Sequence, residues 1–346
     1  MGIISISFDF ETSAQSPVTS FKARVKNNIL NLTNLIKITD KDLSGGFGRG
    51  YGNRAGADII LKIFDKFNIK ATWFCTGHVL LKENKNKNAY RINQKLEYAT
   101  EKAGFSQAVT WRSKFNSFYH EPYSNYIKHP YYYLGDLASK IKQNGHDIQC
   151  HSFSHPYISM EPVENIKLDL EDWQNTAEKN GFKKATIFAF PFMGDFHLIE
   201  KSTGAKIIPA YVKPYKEYEK FYLKDEVIQI FKKNGFELFT RCGSLINYKL
   251  NSFMPYRNSS VYCMKDIGLL SFKNVEGFNY FIDELVNNKA NIDLWLHPND
   301  ILDKNNFKKF ISFIEILVNY RDSGKISLCT IKEQWDQYKE MNGIKF

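Results

Sequence analysis

Cysteine is scarce and unpatterned in this chain: Cys75, Cys150, Cys242, Cys263 and Cys329 are far apart, and none belongs to a Cys-x-x-Cys pair. That excludes a disulfide framework or a zinc ribbon and makes them small core residues. A long apolar run is also missing. No window is apolar enough to span a bilayer, and the start of the chain enters an alternating strand pattern without the basic segment of a secretory leader. A cytoplasmic location with no stable membrane insertion is the default expectation, with peripheral contact left open. No nucleic-acid signature accompanies the 47 Lys and Arg against 37 Asp and Glu. The lysines are scattered, so the net charge of +10 reads as a solvated face that would suit an acidic partner only weakly, and nucleic acid is not expected. The glycine cluster Gly45, Gly46, Gly48, Gly50 and Gly52 lacks both a Lys-Ser or Lys-Thr close and a strand feeding it, which excludes a phosphate cradle.

What the chain does have is 346 residues with 43% apolar content, including 28 Phe and 20 Tyr. This suffices for one large core, and a single domain over 1–346 is the expectation. Strand and helix periodicities alternate: strands over 2–10, 69–75, 146–151, 186–192, 236–241, 292–297 and 325–330; helices over 54–67, 134–143, 163–180, 225–234, 277–288 and 306–321. Such alternation predicts an α/β fold with a parallel sheet, either doubly wound or a barrel. Sites in both collect at the C-terminal ends of strands, where Asp9, His151, Pro191 and His297 fall. Residues 13–52, 82–133 and 244–261 interrupt the pattern as long loops. The second is an insertion crowded with Phe115, Phe118, Tyr119, Tyr123, Tyr126, Tyr131, Tyr132 and Tyr133, suited either to stacking on sugar rings or to packing as a lid.

Asp9 and Glu11 stand two apart at a strand end, so extended geometry puts both carboxylates on one face, with Cα atoms about 7 Å apart. One could bind a cation while the other takes a proton from water. His151 and His155 have the i, i+4 spacing that a helical turn would bring together on one ion. Ser152 between them reads as a loop-fixing residue. His78, His120, His129, His146 and His197 read as surface histidines.

With those residues in place, the chain resembles the polysaccharide deacetylase family, also known as the NodB-homology domain or family 4 carbohydrate esterases. Ile6-Ser-Phe-Asp-Phe-Glu-Thr12 is similar to its first motif and Gly145-His-Asp-Ile-Gln-Cys-His-Ser-Phe-Ser-His-Pro156 to its second. Phe188-Ala-Phe-Pro-Phe-Met-Gly194 resembles the third and Asp293-Leu-Trp-Leu-His-Pro298 the last, while Ala71-Thr-Trp-Phe-Cys-Thr-Gly77 resembles the strand after the first helix.

The resemblance implies a distorted (β/α) barrel of about seven parallel strands. It implies Asp9 as general base, His297 as general acid, and Glu11, His151 and His155 as ligands of a divalent metal, zinc first, with nickel or cobalt as alternatives. Pro191, Phe192, Leu294 and Trp295 would bind substrate, the Phe192 N–H facing the oxyanion. The reaction implied is removal of an acetyl group from an N-acetylated amino sugar or oligosaccharide in polysaccharide or glycoconjugate biosynthesis. Alternatives are hydrolysis of a cyclic, non-carbohydrate amide and an inactive carbohydrate-binding homologue. Oligomeric state is left open.

Two departures stand out. The carboxylate ligand is Glu11 where the family's usual second aspartate would fall at Phe10. The third-motif arginine is missing, with Arg54 and Arg241 as possible replacements, each equally readable as a surface ion pair. Asp266 is a candidate partner for His297.

Overall fold

Along strand β1 (Gly2–Phe10), Ile4, Ile6, Phe8 and Phe10 alternate with Ser5, Ser7 and Asp9, and the two sets face different layers. The apolar set joins the main core beneath the helices, where Phe8 meets Phe64 and Trp73; the polar set turns into the space the sheet encloses. A computed structural model of the chain describes residues 2–12, 46–86, 123–207, 209, 212, 214–245 and 253–345.

From β1 the sheet continues in parallel through β2 (Thr72–Cys75), β3 (Asp147–Cys150) and β4 (Ile187–Ala189). A separate antiparallel sheet of β5 (Phe196–Glu200), β6 (Lys206–Ile207) and β7 (Tyr218–Tyr222) comes next along the chain. The main sheet then resumes with β8 (Leu238–Thr240), parallel to β4. Strand β9 (Phe253–Pro255) is an antiparallel neighbour of β10 (Tyr262–Met264).

Closure is made by one bent segment. Strand β10 pairs in parallel with β8; β11 (Asp266–Gly268), two residues further on, pairs in parallel with β12 (Asn291–Leu296); and β12 pairs with β1. The ring β1, β2, β3, β4, β8, β10–β11, β12 is the distorted parallel barrel. A last strand, β13 (Ile326–Leu328), pairs with the beginning of β1.

Helices α1 (Gly46–Lys66), α2 (Gly135–Gln143), α3 (Val163–Lys179), α4 (Asp225–Lys233), α5 (Val275–Asn287), α6 (Lys304–Asp322) and α7 (Ile331–Asn342) accompany the strands. Helix α7 has no counterpart in the sequence reading, although Thr330 and Glu333 form a capping box: the Glu333 N–H donates to Thr330 Oγ1 at 3.2 Å and the Thr330 N–H to Glu333 Oε2 at 2.8 Å. Ile331 and Trp335 of α7 pack with Phe74, Ile187, Leu238 and Met264 in a second core cluster.

The glycine-rich stretch expected to be loop is helical from Gly46 onward. A Cβ on Gly56 would lie 1.9 Å from the Pro298 carbonyl oxygen, so glycine there lets α1 press against the turn that follows β12. Residues 13–45 and 87–122, with Phe115, Phe118, Tyr119 and His120, lie outside the described residues. The ends of the aromatic insertion are tied together, the Asn84 N–H donating to the Ser124 carbonyl and the Tyr126 N–H to that of Lys82. Tyr131, Tyr132 and Tyr133 are core residues rather than an exposed stacking surface, and Tyr123 is exposed. All five cysteines are buried thiols, and no described helix is long and apolar enough to cross a membrane.

His78, His146 and His197 are buried, not on the surface as expected. His146 accepts the Ala71 N–H at Nδ1, 3.1 Å away; burial first and Lys70 second push its pKa down to about 4. The folded protein therefore binds fewer protons than the unfolded chain between pH 6.5 and 4, and His146 contributes stability that is present above that window and lost as pH falls through it. At about 1.36 kcal/mol per pKa unit the loss approaches about 3 kcal/mol. The stability gap between the protein and a His146→Asn variant, measured by urea unfolding, should narrow by about 2–3 kcal/mol from pH 7 to 4.5. A gap independent of pH would contradict this.

Candidate metal centre

The polar side of β1 runs on into Glu11, so Asp9 and Glu11 leave the barrel rim on one face, both buried. Glu11 Oε1 lies 3.1 Å from His155 Nε2 and 3.7 Å from His151 Nε2, and the two Nε2 atoms are 3.2 Å apart. The three residues each offer a ligand atom, all within 4.8 Å of one another. A tetrahedral ion bound at 2.0–2.1 Å needs donors about 3.4 Å apart, so these atoms fit three corners of such a site. His151 Nδ1 lies 2.9 Å from the Ala189 carbonyl; its N–H donates there and leaves the Nε2 lone pair directed at the other donors.

The histidines converge by a different route from the one their spacing suggested. Residues 151–155 form no helical turn: Ser152 and His155 have φ of 61° and 60°. Asp169 on α3 holds this strained loop, accepting the Phe153 and Ser154 N–H groups at 2.7 and 2.9 Å and the Ser154 hydroxyl at 2.5 Å. Burial pushes the Asp169 carboxyl up to about 6, against the pull of these donors. Ser152 fixes the loop as read, its Oγ accepting the His155 N–H at 2.7 Å.

Arg241, 1% exposed and immediately after β8, reaches Asp9 with two nitrogens: Nη2 donates to Oδ1 at 3.0 Å and Nε to Oδ2 at 3.3 Å. Its Nη1 donates to Asp293 Oδ2 at 2.8 Å, its Nη2 to Ser7 Oγ at 2.6 Å, and its guanidinium lies 4.7 Å from the centre of the Trp295 ring. Burial raises the Asp9 pKa, but Arg241 and then His151 and His297 outweigh it, and the carboxyl sits below its ordinary range. Arg241 is no surface ion pair. Arg54 binds Asp136 through both terminal nitrogens at 2.7 and 2.8 Å, which ties α1 to α2 away from Asp9.

His297 brings Nε2 to 3.5 Å from Glu11 Oε1. Its partner is Asp300, whose Oδ2 lies 3.3 Å from Nδ1 and accepts the His297 backbone N–H at 2.9 Å. Asp266, expected in that role, instead accepts the Arg241 backbone N–H at 2.6 Å and the Thr240 hydroxyl at 2.7 Å. Alternation along β12 sends Asp293, Trp295 and His297 one way and Ile292, Leu294 and Leu296 the other. Leu294 therefore belongs to the main core, which corrects its expected place in the pocket, whereas the Trp295 ring lies 5.7 Å from that of His297. Pro191 is buried at the turn Pro191–Met193; Phe192, with φ 57° and 46% exposure, sets its ring 4.6 Å from His155.

Ser7, Asp169, Asp293 and Asp300 went unread in the sequence. The period of two that joins Asp9 to Glu11 also joins Ser7 to Asp9 and Asp293 to His297, and would have marked Ser7 and Asp293, whereas no such period marks Asp169 or Asp300.

The sequence model of polysaccharide deacetylases matches residues 40–203. That span, a little under half of the chain, resembles the polysaccharide deacetylases. The matched span holds His151, His155 and the Pro191 turn, while Asp9, Glu11, Arg241 and His297 lie outside it and reach the same site through the fold. A Mycobacterium smegmatis protein classed with the polysaccharide deacetylases is similar in structure, with TM-score 0.54 at 11% identity over 99% of this chain and 92% of that one. The allantoinase Puue has TM-score 0.52 at 14% identity over 99% and 92% of the two chains. A 4-alpha-glucanotransferase from Thermococcus litoralis has TM-score 0.50 at 12% identity, over 97% of this chain and 40% of that one. These likenesses establish the shared fold. No curated protein matches the sequence.

Proposed function

We propose that the chain is a metal-dependent N-deacetylase acting on an N-acetylated amino sugar. The reading rests on the convergence of Glu11, His151 and His155, with Asp9 and His297 beside them. Two imidazoles and a carboxylate suit zinc, and equally nickel or cobalt. A divalent ion held there would acidify a water molecule and polarise the acyl oxygen.

The protein's own groups do the rest. Asp9, with Oδ2 4.0 Å from His151 Nε2, is kept ionised and aimed by Arg241, and takes the proton of the attacking water. His297, oriented by Asp300, gives a proton from Nε2 to the departing amine. The Phe192 N–H stabilises the developing oxyanion, and Phe192 and Trp295 flank the acyl methyl. Arg241 thereby takes the place of the missing third-motif arginine from a different strand.

The Asp9-x-Glu11 spacing, on a fold shared with an allantoinase, favours cyclic-amide hydrolysis as the second reading. Elemental analysis of the purified protein, with acetate release from N-acetylated oligosaccharides and ring opening of hydantoin-like amides run side by side, tests both. Bound metal with acetate release is the expected result; ring opening alone would transfer the assignment to the second reading, and neither activity in a metal-loaded protein would remove both.

A further inference from the structure

Asn53, on α1, is fully buried, and the chemistry above leaves it without a role. Its Nδ2 donates to the Glu11 backbone carbonyl at 2.8 Å, and its Oδ1 accepts the Asn299 N–H at 3.1 Å. One amide thus joins the strand end that carries a metal donor to the turn that carries the proton donor. The sheet does not supply that link. The β1–β12 register ends at Phe8 and Leu296 and the β1–β2 register at Phe10 and Cys75, so Glu11 and His297 both lie past the last ladder pairs.

Helix α1 is seated closely enough for an amide to reach both sides. A Cβ on Gly52 would lie 2.9 Å from Asn299 Cβ, and one on Gly56 would overlap the Pro298 carbonyl. Satisfying one buried and one part-buried backbone group at once, the side chain holds a single rotamer between them. The turn is braced from its other side by Asp300, whose backbone carbonyl accepts Asn306 Nδ2 at 3.0 Å.

We propose that Asn53 is a positioning residue that sets Glu11 against the His297 turn, so that metal affinity and proton donation both depend on its side-chain amide. The proton-donation half rests on the deacetylase reading; the metal half rests on the Glu11 contact alone.

Cobalt(II) titration of Asn53→Ala and Asn53→Leu, read by visible absorption and chelator competition, with melting of the metal-free proteins alongside, tests it. Leucine refills the volume that alanine empties, but neither makes the hydrogen bonds. Both variants should bind cobalt about ten- to a hundredfold more weakly than the parent, with altered absorption bands, although the leucine variant melts closer to the parent. On an N-acetylated substrate, kcat should fall with KM little changed. Parent-like cobalt affinity in both variants, or affinity restored by leucine, would overturn the proposal, because packing would then suffice. Cobalt binding by the parent without acetate release would instead sink the deacetylase reading and leave the metal half standing.

Discussion

Asp9→Asn should lower kcat by about 10²–10⁴-fold, the range for loss of a general base, while leaving metal affinity within a few-fold of the parent. Asparagine keeps the volume and one acceptor for Arg241, and Asp293 continues to hold the guanidinium through Nη1, so the site should keep its shape. What disappears is a group able to accept a proton. His155→Ala should lose activity and metal together, because it removes a donor 3.1 Å from Glu11 and 3.2 Å from His151 Nε2 and leaves two protein donors where a stable site needs three. The pair separates base from ligand, two roles that acids and histidines this close together can exchange. Cobalt titration alongside steady-state rates gives the distinction. Parent-like turnover by Asp9→Asn would show that another group is the base, and full metal retention by His155→Ala would remove it from the ligand set.

How much of this was legible without coordinates depends on where the contacts lie in the chain. The barrel strands and most helices were readable because apolar residues recur at two or at about 3.6 residues along them, as in β1 and α4. Strands β5 and β7 show mixed burial without alternation, so no period marked them. Helix α7 carried its signal in Thr330 and Glu333, and that signal was missed.

The site splits in the same manner. The spacing of His151 and His155 correctly suggested that they meet, yet the means is a loop with two left-handed residues pinned by Asp169, fourteen or more residues distant, which no periodicity reports. The Arg241–Asp9 contact spans 232 residues and depends on the barrel closing through β10–β11. Once that closure is known, Arg241 has one place to go; before it, the residue is indistinguishable from any other arginine after a strand. Asp266 was misassigned for the same reason. It lies where the two strands of the bent segment meet, beside Arg241, while His297 finds a carboxylate three residues ahead of itself.

Arg241 variants should therefore disturb both folding and the pH dependence of catalysis. Arg241→Met leaves Asp9, Asp266 and Asp293 around a cation that has gone, and breaking a buried ion network in this way costs about 3–5 kcal/mol. In the parent, Asp9 is held below its unfolded pKa, so its contribution to stability is present above pH 3.8 and is lost as pH falls through the lower folded value. Asp293 has the opposite sign: burial pushes it up to about 6 against the pull of Arg241, and the stability tied to its protonated form is lost as pH rises from 3.8 through 6. Without the guanidinium, burial dominates at Asp9 as well, and it joins Asp293. Urea unfolding of metal-free Arg241→Met should accordingly show a steeper loss of stability between pH 4 and 7 than the parent. Arg241→Lys retains the charge but not the fork that engages Asp9 twice, so it should fold, lose activity, and move the acid limb of kcat/KM upward by about one unit. Acid limbs that superimpose would mean that Arg241 only supports the barrel and that the ionisation of Asp9 is set elsewhere. An upward shift with metal affinity unchanged places its effect on the base itself.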